Sequence, residues 1–188
     1  YQVNYRTYDA GTKVTTLTIA QLDASKGIIA DWNKRLAEGA AAGPDLSKMP
    51  YLTLEPGGSC ASGVESGGGA LTSLAVAVRA KVIGAALRSV VLVAEFDGEQ
   101  TIWCPVGDFF GAGTGPSVVQ DWYRSSHNAE QMTCRFVMPF KSAAKLWLRN
   151  VGAAPAEVKI DWTADALAWT DRSMHFGASW HCEPNIKT

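Results

Sequence analysis

The sequence predicts an antiparallel β-sandwich with one helix, and three observations support this fold class. Short apolar runs are separated by frequent turn residues, as at Asp97-Gly98 and Asn150-Val151-Gly152. Only the stretch from Asp23 to Glu38 has the periodicity of an amphipathic helix. Hydrophobic residues make up 47% of the 188 residues, which is enough to fill a core between two sheets.

Residues 1–50 are predicted to form a strand pair and a helix that connect to the sandwich. Tyr1 to Tyr8 alternates apolar with polar side chains, and Val14 to Ile19 is a second strand-like run. Asp23 is suited to the N-cap of the following helix. Trp32 lies on the apolar face of that helix, so we expect it to pack in the core.

Residues 51–188 are predicted to form the sandwich itself. The apolar run from Ser89 to Phe96 predicts a central strand covered on both faces. Gln100 to Cys104 is its hairpin partner, and Pro105 ends that partner because proline donates no ladder hydrogen bond. The glycine-rich stretch 63–69 is predicted to be a flexible loop. Further strands are predicted at Tyr51 to Glu55, Gln131 to Met138, Ala144 to Arg149 and Ala156 to Trp162.

Charge and cysteine content argue against nucleic-acid binding, membrane binding and metal binding. A net charge of -1 with 19% charged residues gives no electrostatic footprint for nucleic acid or an anionic membrane. No apolar run approaches membrane-spanning length. The four cysteines have neither a CxxC pair nor a zinc spacing, so we expect no metal and no cofactor. Cys104 and Cys134 have the apolar surroundings of buried free thiols, although export would allow a disulfide.

An acidic-aromatic segment, Gly107-Asp108-Phe109-Phe110-Gly111, follows the hairpin. Aromatic faces stack on the C–H surfaces of sugars, and a carboxylate accepts hydrogen bonds from their hydroxyls. The segment therefore predicts a carbohydrate site that contains Asp108, Phe109 and Phe110. The structural alternative is that both rings cap the core and that Asp108 satisfies turn amides.

The densest acidic cluster is Glu95, Asp97 and Glu99. Pairs of carboxylates hydrolyse glycosidic bonds, but the Asp-Gly turn explains Asp97 better. The three histidines lack the spacing of a metal pair or of a nucleophile with its base.

Seven tryptophans are many for this length. Three of them fit strand positions and are expected in the core: Trp103, Trp147 and Trp162. Three others have loop-like contexts in which stacking on a sugar or contact with a subunit fits: Trp122, Trp169 and Trp180.

The run from Val91 to Trp162 resembles glycoside hydrolase family 172. The matching segments are Phe96-Asp97-Gly98-Glu99, Pro105-Val106-Gly107-Asp108-Phe109-Phe110-Gly111, Val137-Met138-Pro139-Phe140-Lys141-Ser142-Ala143 and Leu148-Arg149-Asn150-Val151-Gly152. Tyr1-Gln2-Val3-Asn4-Tyr5-Arg6 and His175-Phe176-Gly177-Ala178-Ser179-Trp180 resemble two further segments of the family.

The resemblance implies a jelly-roll sandwich with a strand from Ala70 to Val78. It also implies a retaining glycoside hydrolase that acts on furanosides of the fructofuranoside or arabinofuranoside class, on oligo- or polysaccharide substrates. His175 and Trp180 then join Asp108, Phe109 and Phe110 as predicted substrate-binding residues. Family members form trimers or larger assemblies, so we expect a trimer-based homo-oligomer.

The family's catalytic glutamates are expected outside this chain. They belong to Gly-Glu-Gly-Glu or Gly-Glu-Gly-Asp and Gly-Thr-Glu-Asp-Tyr stretches, and neither kind occurs here. No catalytic residue is therefore assigned, and we expect the chain to be part of a longer, secreted or periplasmic protein. The alternative is a non-catalytic carbohydrate-binding or assembly module, which needs only exposed aromatic rings. A weaker third interpretation is a purely structural, capsid-like sandwich, because a fold does not fix a function.

Overall fold

Two β-sheets packed face to face form the body of the protein, which confirms the predicted antiparallel β-sandwich. The computed structural model describes residues 5–38 and 43–182. The jelly-roll connectivity within the sandwich stays a prediction.

Twelve strands and four helices are found among the described residues. In chain order they are α1 (Ile19–Ala24), α2 (Lys26–Glu38), β1 (Leu52–Leu54), β2 (Ser59–Ser66), β3 (Gly69–Arg79), α3 (Ile83–Ser89), β4 (Val90–Phe96), β5 (Glu99–Pro105), α4 (Val106–Phe109), β6 (Val119–Gln120), β7 (Arg124–Asn128), β8 (Gln131–Cys134), β9 (Met138–Phe140), β10 (Ala143–Asn150), β11 (Ala156–Asp165) and β12 (Ala178–Ser179).

The first sheet has the order β1-β11-β3-β8-β7-β6, and β9 also pairs with β3. The second sheet has the order β12-β5-β4-β10-β2. Every pairing is antiparallel except that of β12 with β5, which is parallel. The segment that contains β12 therefore runs along the edge of the second sheet, beside β5.

The core lies between the sheets because alternate side chains of each strand point inward. Leu74 and Val76 of β3 meet Leu92 of β4 and Leu146 of β10 in one cluster, and all four are fully buried. Truncating a buried leucine of this kind to alanine costs about 2–5 kcal/mol.

The predicted hairpin between β4 and β5 is present with a two-residue turn. Asp97 has φ 54° and Gly98 has φ 89°, the left-handed pair that a tight hairpin of the right twist requires. Pro105 is the last residue of β5, and α4 follows it directly. The acidic-aromatic segment is thus held against the end of a rigid hairpin.

The predicted strand pair at the start of the chain is wrong for the described part of it. Residues 5–18 form no strand, and Tyr1 to Asn4 lie outside the described residues. Tyr5 is 85% exposed and Val14 63% exposed, so no neighbouring strand supplies the ladder that an extended segment needs.

The predicted helix is divided into α1 and α2. Thr18, rather than Asp23, caps it, through a capping box with Gln21. Trp32 was expected in the core but is 53% exposed, because neither helix packs on the sandwich. None of the helices in the described ranges is long and apolar enough to cross a membrane.

Three further elements differ from the predictions. The stretch 63–69 is the end of β2 and a tight turn into β3, with Gly67 and Gly68 both at positive φ. The single strand expected from Gln131 to Met138 is divided into β8 and the start of β9. The short helix α3 was not predicted, and only Ala86 and Leu87 of it are buried.

Candidate functional site

Asp97 is held by more hydrogen bonds than any other carboxylate of the hairpin region. Its Oδ1 accepts from the N–H groups of Ser142 (2.6 Å) and Ala143 (2.9 Å) and from the Ser142 hydroxyl (2.7 Å). Its Oδ2 accepts from the Lys141 N–H at 2.7 Å and from His175 Nε2 at 2.8 Å. Burial alone raises the pKa of Asp97, but these donors outweigh it and hold the pKa well below its ordinary value. Asp97 is therefore ionised and committed to fixing the turn between β9 and β10.

His175 is fixed by Asp97 on one side and leaves its second ring nitrogen unbonded. Because the Asp97 carboxylate can only accept, Nε2 carries the proton and Nδ1 is an acceptor in the neutral ring. Nδ1 lies 3.9 Å from Glu99 Oε2, which is too far for a hydrogen bond. The His175 side chain is 22% exposed, so a hydroxyl group of a ligand can reach Nδ1.

Two aromatic rings lie close to His175. Phe96 stacks on it with ring centroids 6.2 Å apart, and the Trp169 ring lies 5.0 Å away at 49°. Trp169 is half-buried, and the Glu99 side chain is 75% exposed. An imidazole, an exposed carboxylate and an indole within one small area are groups that bind a sugar ring. We name His175, Glu99 and Trp169 the His175 cluster.

Asp108 and Trp180 meet through a residue that the sequence did not indicate, Arg88. Arg88 Nη1 donates to both carboxylate oxygens of Asp108, at 3.0 and 2.8 Å. The guanidinium carbon lies 4.8 Å above the Trp180 ring, and Trp103 is 6.4 Å from the same ring. We name Arg88, Asp108 and Trp180 the Arg88 cluster. Nothing in the local sequence pairs residues 20 apart, so only the fold brings Arg88 and Asp108 together.

Phe109 and Phe110 face the core. Phe110 is fully buried and Phe109 is 6% exposed, and their rings meet edge to face at 5.2 Å. Phe109 also contacts the Phe176 ring at 6.3 Å. A stacked sugar needs an exposed ring face, so these positions match the structural alternative, in which both rings cap the core. Phe109 and Phe110 can pack beneath the residues of a site. Their direct contact with a substrate stays a prediction, and their burial does not favour it.

The predicted site residues thus fall into two groups, at opposite ends of β5. The His175 cluster surrounds Glu99 at the start of the strand, and the Arg88 cluster lies beside Trp103 and the residues after Pro105. At about 3.3 Å per residue, the seven residues of β5 separate the two ends by about 20 Å. The segment from His175 to Trp180 runs along the sheet edge between the two groups, and its residues Ala178 and Ser179 pair with Ile102 and Trp103.

A cavity lies apart from both groups, whereas the Cys104 thiol is close enough to Asp108 and Arg88 to feel their charges. A cavity of about 740 Å³ lies between α3 and the turn that joins β10 to β11, and it contains none of the predicted site residues. Burial raises the pKa of Cys104 to about 11 and that of Cys134 to about 12, which keeps both thiols protonated. All four cysteines are free, and no cluster of potential metal ligands occurs within residues 5–38 and 43–182.

The fold defines the protein's class as a two-sheet β-sandwich domain. A model of the GH172 domain-like family matches residues 45–161, more than half of the chain. The chain belongs to this family, which confirms the resemblance to glycoside hydrolase family 172. The family relates the chain to glycoside hydrolases and to carbohydrate ligands. The matched range contains Asp97 and Asp108 but not His175 or Trp180. A search among curated proteins gives no match to this chain.

Proposed function

We propose that the chain is part of a retaining glycoside hydrolase that acts on furanosides of the fructofuranoside or arabinofuranoside class. The family match over residues 45–161 carries this proposal. The His175 cluster supports it, because an acceptor nitrogen and an indole ring lie where a single sugar ring can contact both. In this function His175 binds a substrate hydroxyl through Nδ1, and Trp169 forms one wall of the sugar site.

The catalytic pair of glutamates lies outside this chain in our proposal. A retaining enzyme needs two carboxyl groups about 5 Å apart, one of them free to attack the sugar. Asp97 cannot take that part, because its oxygens are occupied by five donors. Glu95 is paired with Lys145 at 2.7 Å, which leaves Glu99 without a carboxylate partner for this chemistry.

A homo-oligomer based on trimers and a secreted or periplasmic location belong to the same proposal. The exposed apolar side chains of α2 support an assembly, since Ile28 is 63% exposed and Leu36 47% exposed. Light scattering of the native protein tests the assembly, and fractionation of its source cells tests the location. A monomer in solution would contradict the proposed assembly, and a cytoplasmic pool of the protein would contradict the proposed location.

Hydrolysis of small furanosides by the native protein tests the function. We expect release of 4-nitrophenol from an arabinofuranoside or of fructose from a fructofuranoside disaccharide. His175→Lys keeps a donor for Asp97 but has no acceptor, so kcat/KM should fall about tenfold, as for one lost hydrogen bond. His127→Ala, at an exposed histidine, is the matched control. The absence of hydrolysis for every furanoside tested would refute the proposal.

The second candidate is a non-catalytic carbohydrate-binding or assembly module. The five hydrogen bonds to Asp97 favour this candidate. They occupy both carboxylate oxygens, so the densest acidic cluster of the chain contains no catalytic pair. This candidate predicts that the native protein binds furanosides without cleaving them. Binding by equilibrium dialysis, together with zero turnover over long incubation, would select it.

A further inference from the structure

The outer face of the second sheet carries two tryptophans that the core does not use. Ile102 and Cys104 of β5 point into the core, so Trp103 between them points outward. Leu146 and Leu148 of β10 place Trp147 on the same outer face by the same alternation. Both tryptophans were expected in the core, and both are half-buried on the surface instead.

The strand register places these two rings in one row. Trp147 is opposite Val93 of β4, and Val93 is opposite Trp103. Strands lie about 4.8 Å apart, so the two tryptophan positions are about 10 Å apart. Val93 between them is only 2% exposed. We name this row, Trp147, Val93 and Trp103, the tryptophan platform.

Polar side chains border the platform on both sides. Two residues along the strands, on the same face, Lys145 and Glu95 form an ion pair at 2.7 Å, and each side chain keeps substantial exposure. In the other direction Arg149 is exposed and has no ion-pair partner among the residues the structure describes. The platform is therefore an aromatic strip with hydrogen-bonding groups along both edges.

We propose that the tryptophan platform binds an extended glycan chain of more than one sugar unit. The rings stack on the C–H faces of two sugars, while Arg149 and the Lys145–Glu95 pair bind hydroxyl groups beside them. The two tryptophan positions are two strand spacings apart, so neighbouring units of one chain can each stack on one ring. The platform continues toward Trp180, whose ring is 6.4 Å from that of Trp103, so a bound chain is directed toward the Arg88 cluster.

A carbohydrate fits this face better than a protein partner does. The centres of protein interfaces are depleted of charged side chains. Here a protein would have to bury Arg149, Lys145 and Glu95 to cover the two rings, and the aliphatic residue between the rings is already buried. A glycan would satisfy these groups with hydroxyls and leave them partly in water. This inference deepens the proposed function and rests on it for the choice of sugar.

Affinity electrophoresis of the native protein in gels that contain arabinan or inulin tests the platform. We expect retardation by at least one of the two polysaccharides and none by free arabinose or fructose. Trp147→Ala and Trp103→Ala should each raise the dissociation constant at least about fivefold, and Trp147→Phe should retain most of the binding. Trp32→Ala, which removes an exposed tryptophan from α2, is the matched control. Near-ultraviolet circular dichroism checks that each variant is folded.

Two results would overturn the proposal. One is equal binding by the native protein, Trp147→Ala and Trp103→Ala. The other is the absence of binding by the native protein to either polysaccharide. Turnover of 4-nitrophenyl furanosides separates this test from that of the proposed function, because such small substrates cannot span the platform. The absence of turnover in the native protein would refute the hydrolase and not the platform.

Discussion

The two ends of β5 each carry an aspartate that the sequence associated with chemistry, and the two differ in their partners. Asp97 accepts five hydrogen bonds, three of them from backbone amides. Asp108 has a single partner, the Arg88 guanidinium, and its side chain is 26% exposed. Backbone amides cannot move aside for a ligand, whereas a half-exposed arginine can. The comparison teaches that Asp97 is structural and that Asp108 can exchange its partner for a ligand.

Removing the Asp97 carboxylate should have the largest effect on stability. Asp97→Ala removes the acceptor of three backbone amides in the β9–β10 turn, at residues 141–143, and places alanine at φ 54°. We expect a loss of about 3 kcal/mol in the free energy of unfolding. Urea denaturation measures it, with Asp171→Ala at an exposed aspartate as the control. A loss below about 1 kcal/mol would mean that the hydrogen bonds of Asp97 are dispensable, against our account.

The same carboxylate should make folding sensitive to acid. Its pKa is lowered in the folded state, so its contribution is fully present above its unfolded pKa of about 3.9 and is lost as the pH falls through the folded value. The native protein should therefore lose part of its stability advantage over Asp97→Asn as the pH falls from about 5 to about 2.5. Urea midpoints across that range measure the difference. An advantage that stays constant with pH would show that the folded pKa of Asp97 is ordinary.

A substitution that strains the backbone of the β4–β5 turn should reduce stability less than Asp97→Ala does. Gly98 has φ 89° with open space around it, so Gly98→Ala adds only backbone strain. We expect a loss of about 1.5 kcal/mol. Gly115→Ala, at a glycine that also has open space but no positive φ, should change stability by much less. Thermal unfolding of the two variants compares them, and equal melting temperatures would contradict the strained turn.

Asp108 should be the least important of these positions for stability. Its ion pair with Arg88 is partly exposed, with 36% of the arginine side chain accessible. Asp108→Asn should therefore cost about 0.5 kcal/mol. The change should also shift the fluorescence of Trp180, because the guanidinium over its ring loses its anchor. A cost as large as that of Asp97→Ala would abolish the distinction between the two aspartates.

The fold could be predicted from the sequence where local signals and tertiary packing agree. Asp97-Gly98 identified the β4–β5 hairpin, because a two-residue turn of this type requires positive φ at both positions. The family resemblance was confirmed over most of the sandwich. The strand expected from Val14 to Ile19 and the described part of the one expected from Tyr1 to Tyr8 are absent for a tertiary reason, since alternation cannot show whether a partner strand exists. Trp32 failed for the same reason, because an apolar helix face does not say what covers it.

The site was predictable only in part. His175 was selected from a resembling segment, yet its contact with Asp97 spans 78 residues and has no sequence signal. Arg88 and Trp169 were missed as partners because each reaches its cluster through the fold alone. Phe109 and Phe110 show the opposite limit, since an aromatic pair beside a carboxylate has the same sequence whether its rings face solvent or the core.

Covalent trapping of the native protein with a furanose-configured epoxide tests the central claim most directly. In a retaining enzyme the reagent alkylates the carboxylate nucleophile, and peptide mapping by mass spectrometry locates the labelled residue. Our account predicts inactivation with a single label on a glutamate that lies outside this sequence of 188 residues. A label on Glu95, Glu99 or any other carboxylate of this chain would contradict it, as would a native protein that hydrolyses no furanoside and takes up no label.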